Sequence, residues 1–342
     1  MWRALFVGID SYPIRPLRGC VADAMALEAA LNSASSGGSP RWKSQLLLSE
    51  YPAPLPPAKQ CADVVPNFSS VRSSVRDLLL NAAEPNLLFY FSGHSDIDFG
   101  AGVGALKTID TMTDGAGLTF YELMQCANRA ATQLQKQVVI ILDTCHAGAF
   151  AQHGDVAHIG TGLTVLAGAR GNEHAIERNG QGVFTQLLVE GLNGTAADIA
   201  GKITAASLFA YVDAALTLGS QRAVFKSNVH SLCLLKQVEP QIPKETLLAL
   251  DHLFKDESSI LELSPAWEPT DRADMPAKYA HTEHDTRLTE SYLHLRKLDR
   301  SGLLEIVGAD VLFDAAMQSQ GCRLTSHGKY YWRLVKSGNL AG

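Results

Sequence analysis

The amino-acid sequence predicts an α/β protein: a mostly parallel six-stranded sheet flanked by helices, followed by a small C-terminal domain. Three observations carry this expectation. Short apolar runs alternate with stretches of helical periodicity, the pattern of a sheet covered on both faces. Two of the runs, Asn86-Leu87-Leu88-Phe89-Tyr90-Phe91 and Gln137-Val138-Val139-Ile140-Ile141-Leu142, are almost unbroken, as strands buried on both faces must be. After Lys236 the composition turns polar and is punctuated by Pro240, Pro243, Pro265, Pro269 and Pro276.

Residues 5–9 read as the first strand and 22–32 as a helix, with Ala24, Leu27 and Leu31 at helical spacing. Residues 33–40 and 51–66 are rich in Ser, Gly and Pro and read as surface loops around a short strand at 45–49. A helix is expected at 69–80, a strand at 87–91, and a helix at 118–131 opened by Thr119, with Glu122 three residues on. Strands follow at 138–142 and 163–167 and helices at 183–192 and 206–216, and residues 231–235 are expected to close the sheet. The expected divisions are 1–236 for the sheet domain, 237–282 for a linker with a short helix near 244–254, and 283–342 for the small domain.

With 46% hydrophobic and 19% charged residues, the chain has the composition of a globular protein that buries a sizeable core. Its net charge of −6 gives no overall attraction to nucleic acid, which is not an expected partner. The cysteines, Cys20, Cys61, Cys126, Cys145, Cys233 and Cys322, form no CxxC pair, so neither a zinc site nor a disulfide framework is indicated. The run Ala4–Ile9, ended by Asp10, is too short for the core of a secretion signal, and no run reaches membrane-span length. A cytoplasmic location without membrane association is the expectation.

Each of the two long apolar runs ends in chemistry. The first passes into Ser92-Gly93-His94-Ser95, the second into Asp143-Thr144-Cys145-His146-Ala147-Gly148. In parallel sheets functional groups gather beyond the carboxyl ends of the strands, so neighbouring strands would bring an imidazole and a thiol to one crevice. Cys145 is the nucleophile in this reading, as a thiolate, and His94 the base that takes its proton and returns it to the leaving amine. A buried core cysteine is the bland alternative, and the two matched strand ends argue against it. His146 is the rival imidazole, but a residue directly after the nucleophile is better placed to pack or to bind backbone.

Ser-Gly-His followed some 50 residues later by Asp-Thr-Cys-His-Ala-Gly resembles the caspase superfamily, and within it the bacterial caspase-like, metacaspase and paracaspase branch. Leu17-Arg18-Gly19-Cys20-Val21-Ala22-Asp23-Ala24 is similar to the Gly-Cys-x-x-Asp-Ala stretch early in metacaspase domains, and Gly182-Val183-Phe184-Thr185-Gln186 to the helix start after the active-site loops. The resemblance implies a caspase-like sheet and a cysteine endopeptidase that needs no cofactor, with oxyanion donors at the backbones of Ser95 and Cys145. The family usually has Gly where this chain has Ser95, a departure that restricts φ. It also implies that Asp23 and Asp143 line the pocket for the residue before the cut bond; two carboxylates sharing one pocket favour Arg or Lys there. Glu177 and Glu173 are candidates for further acid, with a solvated loop as the equal alternative. A helix-dipole role is the alternative for Asp23.

Asp96, Asp98, Asp110 and Asp114 follow His94. Many metacaspases respond to calcium, which favours oxygen ligands, so calcium stays open as an activator; a solvated flap is the plainer reading of this spacing. Near the C-terminus, a helix ending in Gly302-Leu303-Leu304 and then Arg323-Leu324-Thr325 before an aromatic helix resembles a winged helix-turn-helix. Arg323, Lys329, Arg333 and Lys336 are interleaved with aromatics, which favours docking of an effector or adaptor protein. The pairing of the two domains resembles bacterial defence and stress systems, and the resemblance implies a protein-cutting effector of that kind, specific for Arg or Lys. An inert caspase-fold scaffold or a winged-helix DNA-binding regulator is the alternative.

Overall fold

The two long apolar runs do become the middle strands of a six-stranded sheet. The structure is a computed structural model and describes residues 1–33, 39–51, 65–98, 103–111, 116–144, 158–169, 177–178, 181–216, 222–275, 283 and 285–341. The chain forms two compact units, 1–239 and 240–342. The first runs β1 (Trp2–Ile9), α1 (Cys20–Asn32), β2 (Trp42–Ser49), α2 (Phe68–Arg76) and β3 (Asn86–Ser92). It continues with β4 (Ser95–Asp98), β5 (Val103–Leu106), β6 (Leu118–Thr119), α3 (Phe120–Thr132), β7 (Gln137–Asp143) and β8 (Leu163–Ala167). The paired strands β9 (Glu177–Arg178) and β10 (Gln181–Gly182) lead into α4 (Val183–Glu190), followed by β11 (Lys202–Thr204), α5 (Ala205–Leu216), β12 (Val224–Asn228) and β13 (Leu234–Gln237).

The central sheet has the order β12-β8-β7-β3-β1-β2, parallel throughout except for β12. Alternate residues of its strands face two separate cores. Leu5, Phe89 and Ile140 meet Val71 and Val75 of α2 and Leu123 and Ala127 of α3. Phe6, Tyr90 and Ile141 meet Leu27 of α1, Phe184 of α4 and Leu208 of α5. Thr119 caps α3 as expected, its hydroxyl accepting the Glu122 N–H at 3.1 Å. The Glu122 carboxylate reaches Arg72 of α2 at 2.8 Å and so joins the two helices of that face.

Three expectations need correction. Residues 231–235 do not close the sheet: β12 does, antiparallel to β8, while β13 pairs with β11. β12 is an edge strand with much of its surface exposed, so it has no unbroken apolar run to mark it. The acidic flap after His94 is a three-stranded antiparallel sheet, β4-β5-β6, in its described residues; its strands are too short to show alternation. The segment read as a linker, 237–282, belongs in large part to the second unit.

That unit contains α6 (Lys244–Leu248), α7 (Leu250–Leu253), β14 (Ile260–Glu262), α8 (Thr286–Arg300), β15 (Leu304–Val307), α9 (Leu312–Met317), β16 (Gly321–Leu324) and α10 (Ser326–Lys336). β14 is the third strand of an antiparallel sheet, β14-β16-β15, and the Trp332 indole donates to the Phe254 carbonyl at 3.0 Å. Pro265 opens a short turn, Pro265–Trp267, within this unit. Arg323 pairs with both oxygens of Glu305, Arg333 with Glu257, and Lys336 with Asp251.

Candidate active site

β2 lies on one side of β1 and β3 on the other, so the chain reverses direction across the sheet between β1 and β3. The carboxyl ends of strands at such a reversal are where α/β proteins place their ligands. His94 lies there, two residues beyond Ser92. Ser92 is in register with Asp143 at the end of β7, and in the sequence Cys145 stands two residues beyond Asp143. Cys145 and His146 lie outside the described residues.

His94 is held at ring and backbone. Its Nε2 is 2.6 Å from the Arg15 carbonyl oxygen. A carbonyl can only accept, so this nitrogen carries the proton and Nδ1 keeps its lone pair as the basic site. Arg15 adopts φ 55°, a left-handed conformation costly for a non-glycine residue, and here it belongs to the loop that turns this carbonyl toward the imidazole. The His94 N–H donates to the Tyr12 hydroxyl at 3.0 Å. Ser95 opens β4 opposite Leu106, with φ on the ordinary negative side, so the Ser that replaces a customary Gly meets no backbone penalty.

Asp10, the residue after β1, accepts the Cys20 N–H at 2.8 Å. It thereby supplies the N-terminal cap that Gly19 lacks and ties the first turn of α1, with Asp23, to the end of the sheet. Asp23 accepts the Gly182 N–H at 3.1 and 3.0 Å on its two oxygens. Asp143 accepts the Thr185 hydroxyl at 2.6 Å and the Thr185 N–H at 3.3 Å. With its one proton committed to Asp143, Thr185 accepts from the Tyr90 phenol at 2.6 Å.

Both acids are almost fully buried and converge on Gly182. A Cβ there would lie 2.5 Å from Asp143 Oδ2 and 2.9 Å from Asp23 Oδ2, so only glycine fits. The negative field is felt by the neighbours. Burial first, then the charges of Asp143 and Asp23, push the Tyr90 phenol well above its usual range. The Cys20 thiol is likewise held up by burial and by Asp10, Asp143 and Asp23, against a hydrogen bond with Ser92. Such a site suits a cation.

The other sequence candidates fall as follows. Glu177 pairs through its backbone with Gly182; its side chain, like Glu173, Asp98 and Asp114, lies outside the described residues. Asp96 pairs with Lys107 at 2.7 Å. Asp110 accepts from Phe68 N–H and the Thr108 hydroxyl, and although burial raises its carboxyl these bonds hold it below the usual range. Among the described residues no group of three or more His, Cys, Asp and Glu side chains could hold a metal ion. The Arg15 carbonyl, Tyr12 and Asp10 had no sequence signal, since none belongs to the matched motifs. Gly182 and Thr185 lay inside the motif quoted for the α4 start, where only their role was missing.

Among solved structures, the chain is similar to a protein of Geobacter sulfurreducens, at 14% identity and a TM-score of 0.46 over 69% of this chain and 97% of that one. It is similar also to caspase-1 of Spodoptera frugiperda, at 12% identity and a TM-score of 0.46 over 70% of this chain and 90% of that one. No curated protein matches it in sequence. The family model of the caspase domain, peptidase family C14, matches residues 1–247, most of the 342 residues, and the chain therefore belongs to the caspase-domain family.

Proposed function

We propose that the chain is a cysteine endopeptidase that cuts proteins after Arg or Lys through a Cys145–His94 dyad. The observation that carries this reading is the His94 imidazole, held Nε2-first on the Arg15 carbonyl beyond the carboxyl ends of β1 and β3. Nδ1 takes the Cys145 proton as the thiolate attacks the peptide carbonyl carbon. The tetrahedral oxyanion is met by the N–H groups of Ser95 and Cys145. The proton then passes to the leaving amine, and water hydrolyses the acyl-enzyme. The acid pair supports the choice of a basic residue: a guanidinium or ammonium reaching Asp23 and Asp143 neutralises two carboxylates that otherwise repel each other.

The three-stranded sheet and helices of the second unit support its reading as a winged-helix-like recruitment module for an effector or adaptor protein. The ion pairs of Arg323, Arg333 and Lys336 with their own acids favour protein docking over phosphate contacts. A defence or stress role in the cytoplasm goes with this arrangement. The experiment is cleavage of peptides carrying Arg, Lys or Asp before the scissile bond, with and without calcium, by the wild type and by Cys145→Ala. Cleavage after Arg and Lys that vanishes in the variant is expected; turnover retained in Cys145→Ala would refute the dyad, and no cleavage by the wild type would leave an inert scaffold or regulator.

A further inference from the structure

The Tyr12 phenol has its hydroxyl at the centre of a closed ring of hydrogen bonds. It accepts the His94 N–H at 3.0 Å and donates to the Lys107 carbonyl at 3.2 Å, and the Lys107 N–H donates to the His94 carbonyl at 2.9 Å. The phenol ring lies 4.6 Å from the imidazole, centroid to centroid, tilted by 52°. Gly93 makes room for the hydroxyl: a Cβ at that position would lie 2.4 Å from it. Three chain segments meet at this point: the loop after β1, the turn after β3, and the residue after β5.

From this we infer that Tyr12 is the positioning residue of His94. The inference rests on the reading of His94 as the base. Arg15, whose carbonyl holds the ring, is three residues beyond Tyr12 in the same loop. The hydroxyl therefore ties the loop that orients the imidazole to the backbone that carries it. Without it the His94 N–H loses its acceptor, and Arg15 and His94 are no longer held to a common point. A displacement on the order of 1 Å in such a group lowers turnover about 100-fold. The tyrosine is a suitable tether because burial holds its phenol protonated, so it can donate and accept at once.

The test is Tyr12→Phe, which keeps the aromatic ring and removes only the hydroxyl. Two quantities are read in the full-length protein below its melting temperature. One is kcat and KM on an Arg peptide; the other is the rate at which iodoacetamide alkylates Cys145 at neutral pH, followed by mass spectrometry. A fall in kcat of about 10- to 100-fold with KM little changed, and a matching fall in alkylation, are expected. Gly93→Ala, which drives a methyl onto the same hydroxyl, should give the same signature and serves if Tyr12→Phe does not fold. The Gly93→Ala methyl also comes within 3.0 Å of the Phe91 ring, but its shortest approach is to the hydroxyl, so adding Tyr12→Phe to Gly93→Ala should cost less than the sum of the two. A folded Tyr12→Phe with wild-type kcat and alkylation overturns the inference. His94→Ala separates the two levels: if it keeps turnover and alkylation, the base assignment itself fails; if it loses both while Tyr12→Phe loses neither, only the Tyr12 inference does.

Discussion

Asp143 has one role seen in the structure and one proposed for it, and substitution can separate them. Its Oδ2 receives two hydrogen bonds from Thr185 at the start of α4, and its charge is proposed to meet a substrate cation. Asp143→Ala removes both. It strands a buried hydroxyl and a buried N–H and takes away a helix N-terminal acceptor, a loss of about 2–4 kcal/mol. In a unit of this size that lowers Tm by roughly 5–15 °C. Asp143→Asn keeps an oxygen for Thr185 and relieves the repulsion from Asp23, so Tm should stay within about 3 °C of the wild type. The lost charge still removes a charge-assisted contact on the order of 2–3 kcal/mol, or about 30- to 150-fold in kcat/KM on an Arg peptide. Thermal denaturation and peptide hydrolysis, read side by side, give the answer. If Asp143→Asn cleaves Arg peptides as well as the wild type, the carboxylate is a helix cap and nothing more. Faster cutting after Asp than after Arg in the wild type would also refute the acid-pocket reasoning.

Gly182→Ala places a methyl against both carboxylates at a backbone φ of −69°, which any residue adopts. It should cost about 1–3 kcal/mol through overpacking and depress Arg-peptide cleavage; unchanged Tm and activity would mean that the acids do not crowd this position. Residues 146–169 contain no Arg or Lys, so active protein should keep an intact chain between Cys145 and Arg170, and mass spectrometry that finds an obligatory cut there would refute single-chain activity. The Cys20 thiol, held protonated by burial and acidic neighbours, gives a pH signature of definite sign. Above about pH 8.5 the unfolded thiol ionises while the folded one does not, so its contribution is complete below that pH and is lost as pH rises toward the folded pKa. Urea unfolding at pH 8 and pH 10 should show a smaller alkaline loss for Cys20→Ala than for the wild type; equal losses would place an ionised thiol in the fold.

The strands that matter most were legible in the chain because burial on both faces leaves a parallel strand no polar alternation. β3 and β7 read as almost unbroken apolar runs, and the sequence sets the candidates His94 and Cys145 just beyond them. Edge and short antiparallel strands have no such mark, so neither β12 nor β4-β5-β6 is legible in the sequence, and a proline-rich stretch reads as a tether although most of it belongs to the second unit. The candidate site residues, a thiol, an imidazole and two acids, are likewise legible in the sequence as motifs at a set spacing.

Tertiary structure alone decided how these groups are held. That Gly182 lies against Asp23, 159 residues away in the chain, and that one glycine serves both acids, follow from the packing of α1 and α4 on one face of the sheet. The partner of the His94 ring is a backbone carbonyl, a group every residue possesses, so no residue type could announce Arg15. Sequence determines which side chains can ionise, accept or attack. Which of them face one another is set by sheet register and by where the chain reverses across the sheet, because those long-range pairings bring distant loops within hydrogen-bond reach.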